Sequence, residues 1–286
     1  MYGGIAVSRN LLCLTYTAGC GRVFLVDLEE KRPVDFWEFG GDDGAHADAG
    51  GVAVDDNFIL YVADTHNEVL RRFTAFGKEL PSFGSPHVRP PGSTLRDRPG
   101  SLERPHAVAA HEGVIRIVCG EHPLRRGVQQ FTTEGELLPP LQAFGSPQGE
   151  FGAPRGICAG ADGIFVADTL HGVVQRFTPD GRYVCQVNTA PSTHAISRPV
   201  AVQSLGDGTI LVIDQGDQDG LRRLDIRGGS PVPVALAGVV VDPVGLARDE
   251  SGRIYVLDRD GERVLKLDVA LSGCEEVLDV AEFLHQ

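Results

Sequence analysis

The sequence predicts an all-β fold in which one small sheet is repeated around a closed array, a propeller or a related ring. Three observations carry that prediction. First, Gly145–Gln186 reads as four strand-length runs punctuated by Gly, Pro and Asp: Gly156–Ala159, Ile164–Ala167, Val173–Phe177 and Arg182–Val187. Second, the same pattern recurs along the chain to make six units. Third, a lone four-stranded sheet is too small to bury its own faces, so the units must cover one another.

In chain order, the first unit carries GGIAVS, then LLCLTYTAGCGRVFLVDL and a last strand around Phe36, Trp37, Glu38 and Phe39. The second runs Ala49–Phe83 and contains YVADTHNEVLRRF. The third carries PHAVAA from Pro105, then VIRIVCGEHPLRRGVQQF; the fourth contains FVADTLHGVVQRF. The fifth carries PVAV and TILVIDQGDQDGLRRL, and the sixth spans Val239–Val280. The corresponding spans are 1–40, 48–84, 105–145, 154–188, 198–237 and 239–283, one domain over 1–286 with an inserted loop at 85–104. Closure has two routes: residues 275–283 complete the sixth unit, or Met1 and Tyr2 add to its edge.

The segments YVADTHNEVLRRF and FVADTLHGVVQRF, each running on through Phe-Thr-x-x-Gly, resemble the NHL repeat, as does the lead-in FGSPQGEFGAPRGI. Units one and three depart from it, with Thr17-Ala18 and Cys119-Gly120-Glu121 where the others have an apolar-apolar-Asp step. The resemblance implies a six-bladed β-propeller of four-stranded antiparallel blades. In such a blade the links from strand two to three, and from strand four to the next blade, share one face, called the top here.

A chain of 286 residues is long enough to bury roughly three quarters of its unfolded surface. Its net charge of −13 argues against general affinity for nucleic acid or anionic membrane. No run approaches the roughly 18 apolar residues of a spanning helix. Met1–Ile5 leads straight into the first unit without the charged start and apolar core of a signal peptide, which suits a cytoplasmic protein. The cysteines, at 13, 20, 119, 158, 185 and 274, form no C-x-x-C pair and lie mostly in strand-like runs. They read as small buried thiols in a reducing compartment, with a Cys13–Cys20 bridge as the alternative.

Asp64, Asp168, Asp214 and Asp258 each end a second strand. An Asp there accepts backbone N–H bonds and holds the turn, and its repetition marks scaffolding rather than catalysis. Arg72, Arg176 and Arg223 are placed to pair with these acids between blades. His46, His66, His87, His106, His122, His171 and His194 fall in top-face links; His111 and His285 do not. Zinc needs several imidazoles within 2.0–2.1 Å of one ion, and side chains of different blades converge only at the channel mouth. The mouth positions are Gly3, Gly50, His106, Arg155, Val200 and Val244, of which one is His. The resemblance brings in zinc at three mouth histidines in the amidating lyases, and calcium with Glu, Asn and Asp in lactonases of similar architecture. His106 matches the first pattern once, and the second set is missing. Asp217 and Asp219 resemble half a calcium loop without its closing Glu.

The longest irregular stretch, SPHVRPPGSTLRDRPGSLER, exceeds ordinary loop lengths. Its Arg89, Arg96, Arg98 and Arg104 join Arg125, Arg126, Arg155 and Arg198 in a basic top-face edge on an acidic chain. Arg forks bind carboxylates in pairs, so a protein or acidic peptide is the expected partner, docked around His106 and without a cofactor. The alternatives are a metal-dependent lyase or hydrolase at His106 using zinc or calcium, and RNA binding. The loop has no aromatic residue for base stacking. No phosphate loop or nucleophile elbow occurs. Phe36, Trp37 and Phe39 form a candidate self-association patch.

Overall fold

The computed structural model describes every residue except 1, 18–19, 41–45, 85–99, 121–126, 142–150, 188–194, 217–219, 229, 235–239, 269 and 282–286. Blade one holds β1 (Tyr2–Ser8), β2 (Leu11–Thr17), β3 (Gly21–Asp27) and β4 (Arg32–Phe39). Blade two holds β5 (Ala49–Val54), β6 (Leu60–Asp64), β7 (Val69–Phe73) and β8 (Glu79–Phe83). Blade three holds β9 (Ala107–His111), β10 (Val114–Cys119), β11 (Gly127–Thr132) and β12 (Leu137–Leu141). Blade four holds β13 (Pro154–Gly160), β14 (Gly163–Asp168), β15 (Val173–Phe177) and β16 (Tyr183–Val187). Blade five holds β17 (Pro199–Ser204), β18 (Thr209–Asp214), β19 (Gly220–Asp225) and the short β20 (Val232–Pro233). Blade six holds β21 (Pro243–Arg248), β22 (Ile254–Asp258), β23 (Arg263–Leu267) and β24 (Cys274–Asp279). Every blade is a sheet of four consecutive strands, all antiparallel.

The first strands form the inner ring. Each touches the next, and β21 returns to β1. β24 completes blade six without any strand from the other end of the chain. The last seam is instead closed by side chains: the Ser8 hydroxyl (3.0 Å) and the Arg9 N–H (2.8 Å) both donate to the Glu250 carboxylate.

Alternation along each strand sends half of its side chains to each neighbouring blade. The core is therefore six clusters, one per seam. Cys13, Val23, Leu25 and Phe39 meet Val52, Leu60, Val62 and Phe73 between blades one and two. Ile5, Leu12 and Leu14 meet Tyr255, Leu257 and Val264 between blades six and one. The second strands are covered on both faces, so β6, β14 and β22 are buried throughout. Each Leu or Ile so placed contributes about 1.5–3 kcal/mol.

One expectation changes and one alternative falls away. Trp37 and Phe39 do not form a surface patch: both pack on Phe73 across the first seam, at ring separations of 5.5 and 5.6 Å. Of the large apolar side chains of β4, Phe36 and Val34 stay exposed. All six cysteines are free, so Cys13 and Cys20 do not bridge. The end of the inserted loop is also anchored, since Leu102 is fully buried between blades two and three beside Phe83 and Phe131.

Candidate functional site

The top face owes much of its geometry to an Asp at the end of the second strand in blades two, four, five and six. Asp168 is fully buried. Its carboxylate accepts the N–H groups of Gly152 (2.7 Å) and Ala153 (2.8 Å) from the incoming link, and the Gln175 amide (2.8 Å) from β15. Asp214 likewise takes the N–H groups of Ser197 and Arg198, and Asp258 those of Val241 and Asp242. Asp64 instead accepts from Asn67 and pairs with Arg71 at 2.7 Å.

The arginines beside these acids are not the ones anticipated. Arg71 and Arg263 pair with the Asp of their own blade. Arg72 donates to the Thr133 carbonyl, Arg176 to the Asp162 carbonyl, and Arg223 pairs with Asp207. The register explains it: Arg71 lies opposite Val62 and Arg72 opposite Tyr61, so one position along β7 reverses the face.

In blades two and four the Thr after the Asp stitches the ring. The Thr65 hydroxyl donates to the Pro105 carbonyl at 2.6 Å and the Thr169 hydroxyl to the Pro199 carbonyl at 2.7 Å, each crossing to the next blade. Blade three has Gly120 at this point and lacks the Asp-Thr pair. There His106 takes over: its Nε2 lies 2.8 Å from the Pro154 carbonyl of blade four, while Nδ1 lies 3.0 Å from the Arg104 carbonyl. Both ring nitrogens thus face backbone oxygens.

The mouth positions have a local cause. The first strands bulge where they start, between Tyr2 and Gly4, Ala49 and Val52, Pro154 and Gly156, Pro199 and Ala201, and Pro243 and Gly245. The residue left unpaired by a bulge is re-aimed out of the ladder. Those residues include Gly3, Gly50, Arg155, Val200 and Val244. Below them the blades come into backbone contact: a Cβ on Gly4 would sit 2.7 Å from Gly51 Cα, and one on Gly156 would sit 2.7 Å from Ala201 Cα.

Three exposed arginines lie at the starts of blades three to five. Arg104 and Arg155 are exposed on blades three and four, and Arg198 is exposed where the chain enters blade five. Gly3 and Gly50 leave blades one and two without side chains at the same level. Arg89, Arg96, Arg98, Arg125, Arg126, His87, His122, His194, Asp217 and Asp219 lie outside the described residues.

One histidine contact escaped sequence reasoning. His46, in the link entering blade two, and His66, in the turn after β6, bring their ring centroids to 6.3 Å. The signal was available: the link into a blade lies against that blade's own second turn, as Gly152 does against His171. Among the described residues, no group of three or more His, Cys, Asp or Glu is placed to hold a metal ion. Among them, too, no helix is long and apolar enough to cross a membrane.

No protein-family model matches the chain, and no curated protein matches its sequence. Solved structures do resemble it. A streptogramin B lyase is 14% identical with a TM-score of 0.65, covering 97% of this chain and 82% of that one. Virginiamycin B lyase from Staphylococcus aureus is 14% identical with a TM-score of 0.64, covering 96% and 83%. A chain of the nidogen/laminin complex is 16% identical with a TM-score of 0.62, covering 92% and 90%. At such identity the likeness speaks for architecture alone, and with the strand order it establishes the chain as a six-bladed β-propeller.

Proposed function

We propose that this chain is a non-enzymatic binding propeller of the NHL type that docks a protein or peptide, acidic in character, on its top face. One observation carries the reading: exposed Arg104, Arg155 and Arg198 lie at the starts of blades three, four and five in a chain of net charge −13, while blades one and two carry Gly3 and Gly50 at the mouth. Exposed guanidinium groups are suited to paired carboxylate recognition. A rigid ring with substituted loops is a common way to present such a surface. On this reading no cofactor is required, and the six free thiols suit a reducing, cytoplasmic setting. The lyase reading gains no support from His106, whose two nitrogens both face carbonyl oxygens.

The test is selection of a random peptide library on the purified protein, followed by titration of the enriched peptides. Acid-rich sequences should emerge and should bind the Arg155→Glu/Arg198→Glu protein at least tenfold more weakly. Reversing Arg182 and Arg227 on the opposite face should leave affinity unchanged. Neutral or basic peptides, or equal binding to the Arg155→Glu/Arg198→Glu protein, would reject the proposal.

A further inference from the structure

We propose that His46 and His66 form a two-imidazole site for a borderline divalent cation of the zinc class, at the edge of the top face over blade two. The site is independent of the docking reading. Both side chains are exposed, and their rings meet edge to face at 6.3 Å between centroids. An imidazole bound through nitrogen at 2.0–2.1 Å places its centroid about 3.2 Å from the ion. Two rings on one tetrahedral ion are therefore about 5.2 Å apart. The observed separation is about 1 Å longer, a gap that rotation of the two exposed side chains has to close for an ion to bind.

The backbones that carry the two rings are already tied together. The Thr65 N–H donates to the Asp48 carbonyl at 3.0 Å, and the Asn67 amide donates to the His46 carbonyl at 3.3 Å. Asn67 is in turn held by both oxygens of buried Asp64. The ligands are thus brought together by the Asp64 turn and the incoming link tied to it through Asn67 and Thr65, and the two backbones are already in place for an ion. Two exposed imidazoles gain little by packing on each other. The net charge of −13 favours an approaching cation. Imidazole selects zinc, copper(II) and nickel(II) over magnesium and calcium. Solvent fills the remaining positions, since no third protein ligand is in place among the described residues. That leaves coordination sites open to a donor from outside.

The experiment is calorimetric titration of the metal-stripped full chain with zinc chloride, alongside imidazole nitrogen NMR. One ion per chain is expected, with two histidine rings shifting together. His46→Gln and His66→Gln should each weaken binding at least tenfold, because either change removes the chelate. His111→Gln, on the opposite face, should stay within twofold. Both exposed substitutions should leave the thermal midpoint in EDTA unchanged, which separates lost binding from lost folding. Absence of saturable binding below millimolar zinc, or affinities within threefold for both variants, would overturn the proposal.

Discussion

Replacing Asp168 by Ala tests whether the strand-end acids hold the ring. The Gly152 N–H is buried and loses both carboxylate contacts, at 2.7 and 2.9 Å. The fully buried Gln175 loses its acceptor at 2.8 Å. His171 and Ala153 are less enclosed and can turn to water. A buried donor without a partner costs about 1–3 kcal/mol, so the two together should cost about 4 kcal/mol. For a chain of this size that is a fall in Tm of roughly 8–16 °C. Asp168→Asn should land between, because its amide nitrogen must face N–H donors. Asp207→Ala is the control: its pair with Arg223 is about half exposed and should be worth less than about 1 kcal/mol. Circular dichroism reads the whole ring. The single tryptophan, Trp37, reads the first seam through its contact with Phe73. Coincident transitions are expected if blades unfold together. A loss below about 1 kcal/mol for Asp168→Ala, no larger than for Asp207→Ala, would refute this account of the turns.

Two further outcomes follow from buried groups. Burial alone would raise the Asp249 carboxyl, but the Ser251 hydroxyl and the Arg253 guanidinium and N–H outweigh it and hold the group below the usual carboxylate range. A carboxyl depressed on folding adds stability above its unfolded value of about 3.9 and loses it as pH falls through the folded value. The denaturant-midpoint gap between wild type and Asp249→Asn should therefore be full at pH 7 and shrink below about pH 4; a constant gap would count against it. Burial also pushes the Cys13 and Cys158 thiols up to about 12, and that of Cys119 higher still. Alkylation at pH 8 with mass mapping should label the half-buried Cys20, Cys185 and Cys274 first and reach the others only on unfolding.

The repeat was legible because its physics is local. Strand-length apolar runs such as Ile164–Ala167, with Gly, Pro and Asp between them, mark sheets and turns without any knowledge of partners. The position of Asp168 before a polar turn was readable for the same reason. What escaped was set by register and by which segments lie side by side. Nothing in RRF says that Arg71 rather than Arg72 reaches Asp64; pairing with Val62 decides it. Trp37 and Phe39 looked like surface on an outer strand because the width of the neighbouring blade, and Phe73 within it, was not visible. The contact of His46 with His66 arises within one blade, between its incoming link and its own turn, so convergence at the mouth does not reveal it. The role of His106 depends on a comparison between seams that sequence does not supply: it bonds the Pro154 carbonyl where Thr65 bonds that of Pro105.

Because each sheet is finished by its own four strands, topology distinguishes no junction as the lock. The wedge order could be rotated by circular permutation. A chain reopened in the link between blades three and four, with the old ends tethered, would need no strand to change sheets. It would exchange one covalent crossing for another, and the Glu250 contacts with Ser8 and Arg9 would then lie within a continuous stretch of polypeptide.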